Sequence, residues 1–158
     1  MWWSRRGVLV LLVALGGCGF TPAYGPDGAA LALRGRIAVE APATAQGYAL
    51  RQRLLDRLGG PGADWLLALT LTQEAGASAI APDGTTTRVR LLGGAEWRLT
   101  DGAGALLGQG AGDAFTAYSA TGSTVASRTA RLDAEERLSI LLADRIVTQL
   151  LALAPDLP

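Results

Sequence analysis

The sequence predicts an α+β domain in which two helices cover one face of a four-stranded mixed sheet, in the order strand, helix, strand, strand, strand, helix. Three observations predict it. Apolar residues recur at every second position over Trp65–Gln73 and Thr85–Thr100, the period of a half-buried strand. Leucines recur at helical spacing ahead of Gly59 and again ahead of Pro155. Glycine and proline punctuate the chain at residues 59–62, 82–84 and 101–104.

The first strand is read over Leu31–Glu40, with Leu31, Leu33, Ile37 and Val39 on one face and Arg34, Arg36 and Glu40 on the other. Pro42 ends it. A helix then runs from Thr44 or Ala45 to Leu58, with Leu50, Leu54, Leu55 and Leu58 at helical spacing and Gly59 closing it. Arg51, Arg53 and Arg57 lie outside this stripe, on a face that is either solvated or meets an acidic partner.

In the second strand Trp65, Leu67, Leu69 and Leu71 oppose Thr70 and Thr72, and the small residues of Ala75–Gly84 read as a loop or hairpin tip. The third strand, Thr85–Thr100, sets Val89, Leu91, Ala95, Trp97 and Leu99 against Arg88, Arg90, Glu96 and Arg98. Gly93-Gly94 within it predicts a bulge or a close backbone approach. Asp101-Gly102-Ala103-Gly104 is a hairpin turn into the fourth strand, Leu106–Tyr118. There Gly108, Gly110 and Gly112 leave one face nearly bare, open to close packing; their spacing is not that of a dinucleotide-binding loop. Ser119–Ser123 turns the chain, and Ser123 or Thr124 caps a helix that continues to Leu153. Leu138, Leu142, Ile146, Leu150 and Leu153 make its stripe, and Asp133 and Arg137 are spaced to pair on its exposed side. The first helix crosses over between strands one and two, which makes them parallel if they share the sheet; strands two to four form an antiparallel meander.

Composition removes most chemistry. The chain has no histidine, and all 14 of its basic residues are arginine. Histidine-dependent triads, Schiff-base lysines, the phosphate-loop lysine and His/Cys zinc sites are therefore excluded. Carboxylates alone remain for acid–base work. Glu135 and Glu136 are adjacent on a helix and diverge, while Asp64, Asp83 and Asp101 read as cap or turn residues, so no catalytic pair stands out. The reading is no enzyme, no cofactor and no metal.

The N-terminus supplies the address. Arg5 and Arg6 precede the apolar run Gly7–Leu15, and Leu15-Gly16-Gly17-Cys18 follows. A charged region, a short apolar core and small residues before the cut make a secretory signal, far short of the ~20 residues of a spanning helix. A branched residue, two small ones and cysteine are what a lipoprotein signal peptidase requires, once the Cys18 thiol carries diacylglycerol. Residues 1–17 are then a signal peptide, 18–30 a lipidated extended tether and 31–158 one domain. Ser4-Arg5-Arg6-Gly7-Val8-Leu9 also resembles a twin-arginine signal; that route serves proteins folded around cofactors, and with no cofactor site downstream the general secretory route is the preferred reading. Loss of residues 1–17 leaves twelve arginines against fourteen acids, a balance that argues against non-specific nucleic-acid binding. Gly19, in place of the aspartate that retains many lipoproteins in the inner membrane, predicts the periplasmic side of the outer membrane. Three acyl chains on Cys18 anchor a protein stably where a single chain holds it marginally.

Cys18-Gly19-Phe20-Thr21-Pro22-Ala23-Tyr24-Gly25 resembles the mature start of the LptE family, small lipopolysaccharide-assembly lipoproteins. The run from Glu136 to Ile146 is also similar to the end of that family. The resemblance implies the same order of elements and no chemistry. It also implies a partnership with an outer-membrane β-barrel of the LptD type, whose assembly the lipoprotein assists, and delivery of lipopolysaccharide to the outer leaflet. It further implies lipopolysaccharide contact through basic residues near the strand tips. Arg88 and Arg90 are the first candidates, with Arg98, Arg34 and Arg36 expected on the same helix-free face. The family's lysines have no counterpart here, and a solvated strand face is the competing reading for each arginine. An accessory lipoprotein of another envelope transport or secretion machine is the alternative function.

Overall fold

The structure, a computed structural model, describes Gly25 and residues 28–158. The signal segment, Cys18, Phe20 and Tyr24 lie outside the described residues. The elements are helix α1 (Ala29–Leu33), strand β1 (Ile37–Glu40), helix α2 (Ala45–Leu58), strands β2 (Trp65–Ile80), β3 (Thr86–Asp101) and β4 (Leu106–Ser119), helix α3 (Thr124–Leu153) and a 3-10 turn, Ala154–Asp156. The sheet order is β1-β2-β3-β4. β1 and β2 are parallel and the rest antiparallel, as the crossover and the two hairpins require.

Two expectations are corrected. Leu31–Glu40 is not one strand: Ala29–Leu33 is helical, and the chain turns at Gly35, whose φ of 68° only glycine adopts readily. Leu33 is fully buried while Leu31 is 50% exposed, so only one of the two alternating leucines joins the core. The run of alanine and leucine prefers helix, and no neighbouring strand overrides that preference. Second, the strand does not stop at Gln73. It continues to Ile80 because β3 is equally long and pairs with it, and the turn is confined to residues 81–85. The tail departs from regular pairing at Ala77–Ile80.

The other elements form where the pattern placed them. Thr44 caps α2, its hydroxyl accepting from Gly47 N at 3.1 Å, and Gly59 ends the helix in the left-handed conformation at φ 83°. Ser123 caps α3. Asp101 organises the β3–β4 turn, its carboxylate accepting from Ala103 N and Ala105 N at 2.9 and 2.8 Å. Arg137 pairs with Asp133 at 3.0 Å.

One core lies between the sheet and the two long helices. Ile37, Leu67, Leu91 and Leu99 face Leu50, Leu54, Leu138, Ile146 and Leu150, all essentially without solvent contact. α3 with its 3-10 turn is long and apolar enough to cross a membrane, yet its stripe is spent on this core. Helix and sheet meet closely because the strands give way. At Gly93 there is no bulge; a side chain there would run into Leu138 and Leu142 of α3, and one at Gly112 would run into Arg145. Both close approaches fall where glycine was noted on the strands.

α3 also finishes the outer edge of β4. Ala120 N donates to Thr87 O, and continuing that ladder points the odd-numbered residues of β4 away from β3. Two of those outward carbonyls are occupied by α3: Gln149 Nε2 donates to Ala111 O at 2.8 Å, and Arg145 donates to Asp113 O.

Candidate functional site

Two of the five arginines lie away from the free face. Arg34 follows α1 and lies against Gly59, beside Asp56 and Arg57. Arg36 stands at the closed end of the sheet. Its Nε pairs with Asp64 at 2.8 Å, its guanidinium lies 3.8 Å from the centre of the Trp65 ring, and it reaches Pro158 O at 3.4 Å. These contacts fasten the entry of β1 to the start of β2 and to the C-terminus. The exposed ion pair and the cation–π contact are each worth ~0.5–1 kcal/mol. Placing Arg34 and Arg36 on the strand face fails because the chain turns at Gly35, so alternation from β1 does not extend back through it.

The other three arginines are on the helix-free face. Arg88, Arg90 and Arg98 are exposed on β3, while Leu91, Ala95, Trp97 and Leu99 turn inward. Among the described residues no ion pair or hydrogen bond engages the side chains of Arg88, Arg90 or Arg98. Small neighbours flank the first two, Arg88 between Ala79 and Ser119 and Arg90 between Gly76 and Ala117, leaving their guanidinium groups accessible. Arg98 lies eight residues further down the strand, roughly 26 Å away at ~3.3 Å per residue, with Glu96 on the same face. Arg88 and Arg90 therefore form one basic tip, and Arg98 belongs to a mixed-charge region.

Sequence reading missed the apolar half of this tip. Leu92 pairs across the strands with Phe115, and they are 44% and 65% exposed on the same face as Arg90. Two guanidinium groups thus adjoin an exposed aliphatic–aromatic pair, a surface matched to an amphiphile with anionic and apolar parts. The signal was in the sequence: Leu92 shares parity with Arg90, and Phe115 opposes the inward Thr116. At the hairpin turn, the Thr85 backbone N–H and then the Thr85 hydroxyl hydrogen-bond Asp83 and hold its carboxyl below the ordinary value. That contribution to the turn is present above the ordinary carboxylate range and fades as pH falls through the lowered pKa.

On the helix side, Glu135 is nearly buried and accepts from Arg131 Nε at 2.8 Å, Gln46 Nε2 at 3.3 Å and Gln73 Nε2 at 3.5 Å. The Glu135 hydrogen bond and charge raise the Arg131 pKa further. This cluster ties α2, β2 and α3 together. It borders a cleft of about 230 Å³ lined by Pro42, Gln46, Leu71, Gln73, Leu138 and Leu142. Among the described residues no group of three acidic, histidine or cysteine side chains is placed to hold a metal ion.

Comparison with known proteins gives a consistent result. A structure from Caulobacter crescentus CB15, described as a lipoprotein, is 25% identical over 83% of this chain and 98% of its own, with a TM-score of 0.66. The minor lipoprotein of Acinetobacter baumannii is 20% identical over 78% of this chain and 94% of its own, at 0.61. Rare lipoprotein B of Shewanella oneidensis is 16% identical over 74% of this chain and 92% of its own, at 0.55. The last two establish likeness of fold alone. No curated protein matches the chain. The lipopolysaccharide-assembly family LptE matches residues 35–150, from the turn before β1 to the last turns of α3, and the chain belongs to that family.

Proposed function

We propose that this protein is a lipid-anchored, non-catalytic subunit on the periplasmic side of the outer membrane. There it binds an LptD-type β-barrel, assists its assembly and takes part in delivering lipopolysaccharide to the outer leaflet. The observation that carries the reading is the family match across almost the whole α+β domain. The signal segment ending at Cys18 and the lipoprotein descriptions of the structural relatives support the anchor. The helix-free sheet face supports residence against a polar barrel lumen. The Arg88–Arg90 tip, with Leu92 and Phe115 beside it, supports contact with a phosphorylated, acylated lipid.

Affinity capture of the full-length, C-terminally tagged protein from detergent-solubilised outer membrane tests the partnership. Stoichiometric recovery of one large β-barrel is expected; a preparation without a barrel, or with an inner-membrane transporter instead, overturns it. The double variant Arg88→Glu/Arg90→Glu tests the tip. It is expected to bind purified lipopolysaccharide about tenfold more weakly or worse, because charge-assisted hydrogen bonds of ~1.5–3 kcal/mol are replaced by repulsion. Unchanged affinity in a folded double variant assigns lipid contact elsewhere.

A further inference from the structure

β2 and β3 are held unequally toward the hairpin tip. Every residue of β2 from Thr72 to Ile80 is exposed, whichever face it points to. β2 meets β3 alone there, since β1 ends with Glu40 opposite Ala68. Its register slips between Ala77 and Ile80, where the Ser78 hydroxyl donates to Arg88 O and the Thr87 hydroxyl to Ala79 O, both at 3.3 Å. β3 is fixed on its other side over the same span. Leu91 is fully buried and Val89 packs on the core. β4 pairs with β3 as far as Arg88 opposite Ser119, and Ala120 N donates to Thr87 O at 3.0 Å just beyond.

The weakly held stretch lies between two fixed points. On β2 it begins after Gln73, whose Nε2 donates to Glu135, and on β3 it ends at Thr87. The turn between them is held by its own bonds: Ala81 N to Thr85 O at 2.8 Å, Gly84 N to Ala81 O at 2.9 Å and Thr85 N to the Asp83 carboxylate at 2.9 Å. It can therefore move without being unmade. Few buried contacts, exposed main-chain hydrogen bonds and an irregular ladder give a segment a low opening free energy beside a stable core. Ladder parity says what opening uncovers. Odd-numbered β3 residues bond to β4, so Arg88 and Arg90 turn their N–H and C=O groups toward β2, Arg90 opposite Gly76. The same two residues carry exposed guanidinium groups on the helix-free face. Side-chain and main-chain donors thus meet at one corner of β3, and the β2 stretch occupies the main-chain half.

We propose that residues 74–86 form a strap that opens from β3 while the rest of the sheet stays folded, and that its release completes a phosphate site by adding the Arg90 main-chain N–H to the Arg88 and Arg90 guanidinium groups. This rests on the reading of the tip above and adds its regulation. A bared strand edge offers a row of main-chain donors to an anion, and the oxygens of a phosphate accept from guanidinium and amide together. A ligand that binds the open form better shifts the strap toward it.

The test is residue-resolved amide hydrogen exchange on the full-length protein in detergent, with and without purified lipopolysaccharide. In the free protein the paired amides of Gly76 and Arg90 exchange at least about tenfold faster than those of Thr70 and Glu96 lower on the same ladder, and than that of Leu91, which bonds to β4. Lipopolysaccharide is expected to speed exchange at Gly76 further and to slow it at Arg90, whose N–H passes from the strap to the ligand. Exchange at Gly76 and Arg90 as slow as at Leu91 overturns the strap; any other response to the lipid overturns its release as part of the site. The pair Ala77→Cys/Val89→Cys locks the strap, since these residues face each other at a non-hydrogen-bonded position with Cα atoms ~4.5 Å apart. Cys18 is the chain's single cysteine and is acylated on the reading above, so no other thiol competes. The oxidised form is expected to bind lipopolysaccharide about tenfold more weakly than the reduced form of the same variant. Equal affinity overturns the strap's role and leaves the tip standing. Unchanged binding by the Arg88→Glu/Arg90→Glu variant removes the tip, and the strap's role with it. Should the cysteine pair fail to fold, the opposite changes at Gly76 and Arg90 in the unmodified protein decide.

Discussion

Gly62→Ala is expected to cost about 3 kcal/mol of unfolding free energy, at the upper end of what overpacking usually costs. Gly62 is the point where the loop after α2 lies directly on the start of β1, its N–H donating to Ile37 O at 3.0 Å. A methyl group there falls on the backbone between Arg36 and Ile37. Backbone cannot rotate away as a side chain can, so β1 must shift, and with it the pairing of Ile37 with Trp65. Gly62 does not have a positive φ. Simple chain-entropy reasoning therefore predicts the opposite, a gain of ~0.4–1 kcal/mol from restricting the unfolded state. Gly76→Ala provides the contrast: nothing lies within 4 Å of an added methyl, and alanine is better suited to a strand. Urea unfolding of the two variants decides; a Gly62→Ala midpoint equal to or above that of the unmodified protein removes the steric argument.

Cys18→Ala has the largest expected effect on the cell. Without the thiol no diacylglycerol is added, and the signal peptidase that needs the lipid leaves residues 1–17 in place. The protein is then lost from the outer-membrane fraction and recovered as a precursor held by its uncleaved apolar segment. Membrane separation with intact-mass measurement reads both outcomes at once. A Cys18→Ala protein that still reaches the outer membrane in cleaved form shows that another feature supplies the anchor.

The sheet and both long helices were legible because their apolar residues keep one period over many residues: Leu50, Leu54 and Leu58 in α2, Val89 to Leu99 in β3. The failures have specific causes. Leu31 and Leu33 are two apart, a spacing that suits a strand but does not exclude one turn of helix, and Gly35 breaks the parity linking Arg34 and Arg36 to β1. Ala75–Ile80 is made of residues too small to declare a strand; its conformation is imposed by pairing with Thr86–Leu91 of β3. The basic tip was half visible, as Arg88 and Arg90. Its apolar half was legible residue by residue, from the parity of Leu92 with Arg90 and the alternation of Phe115 with Thr116; that Phe115 lies opposite Leu92 needed the register of β3 against β4.

The covered outer edge of β4 has a consequence for assembly. A sheet with two receptive edges can polymerise, each added copy presenting a fresh end to the next, which is the route to fibrils. Here the chain end of the meander is stoppered by its own C-terminal helix through Gln149 and Arg145. Growth by head-to-tail stacking of identical copies needs both edges free, and at Ala111 and Asp113 the outward carbonyls of β4 are already taken. The helix that completes the core thereby also guards this stretch of the sheet edge against stacking.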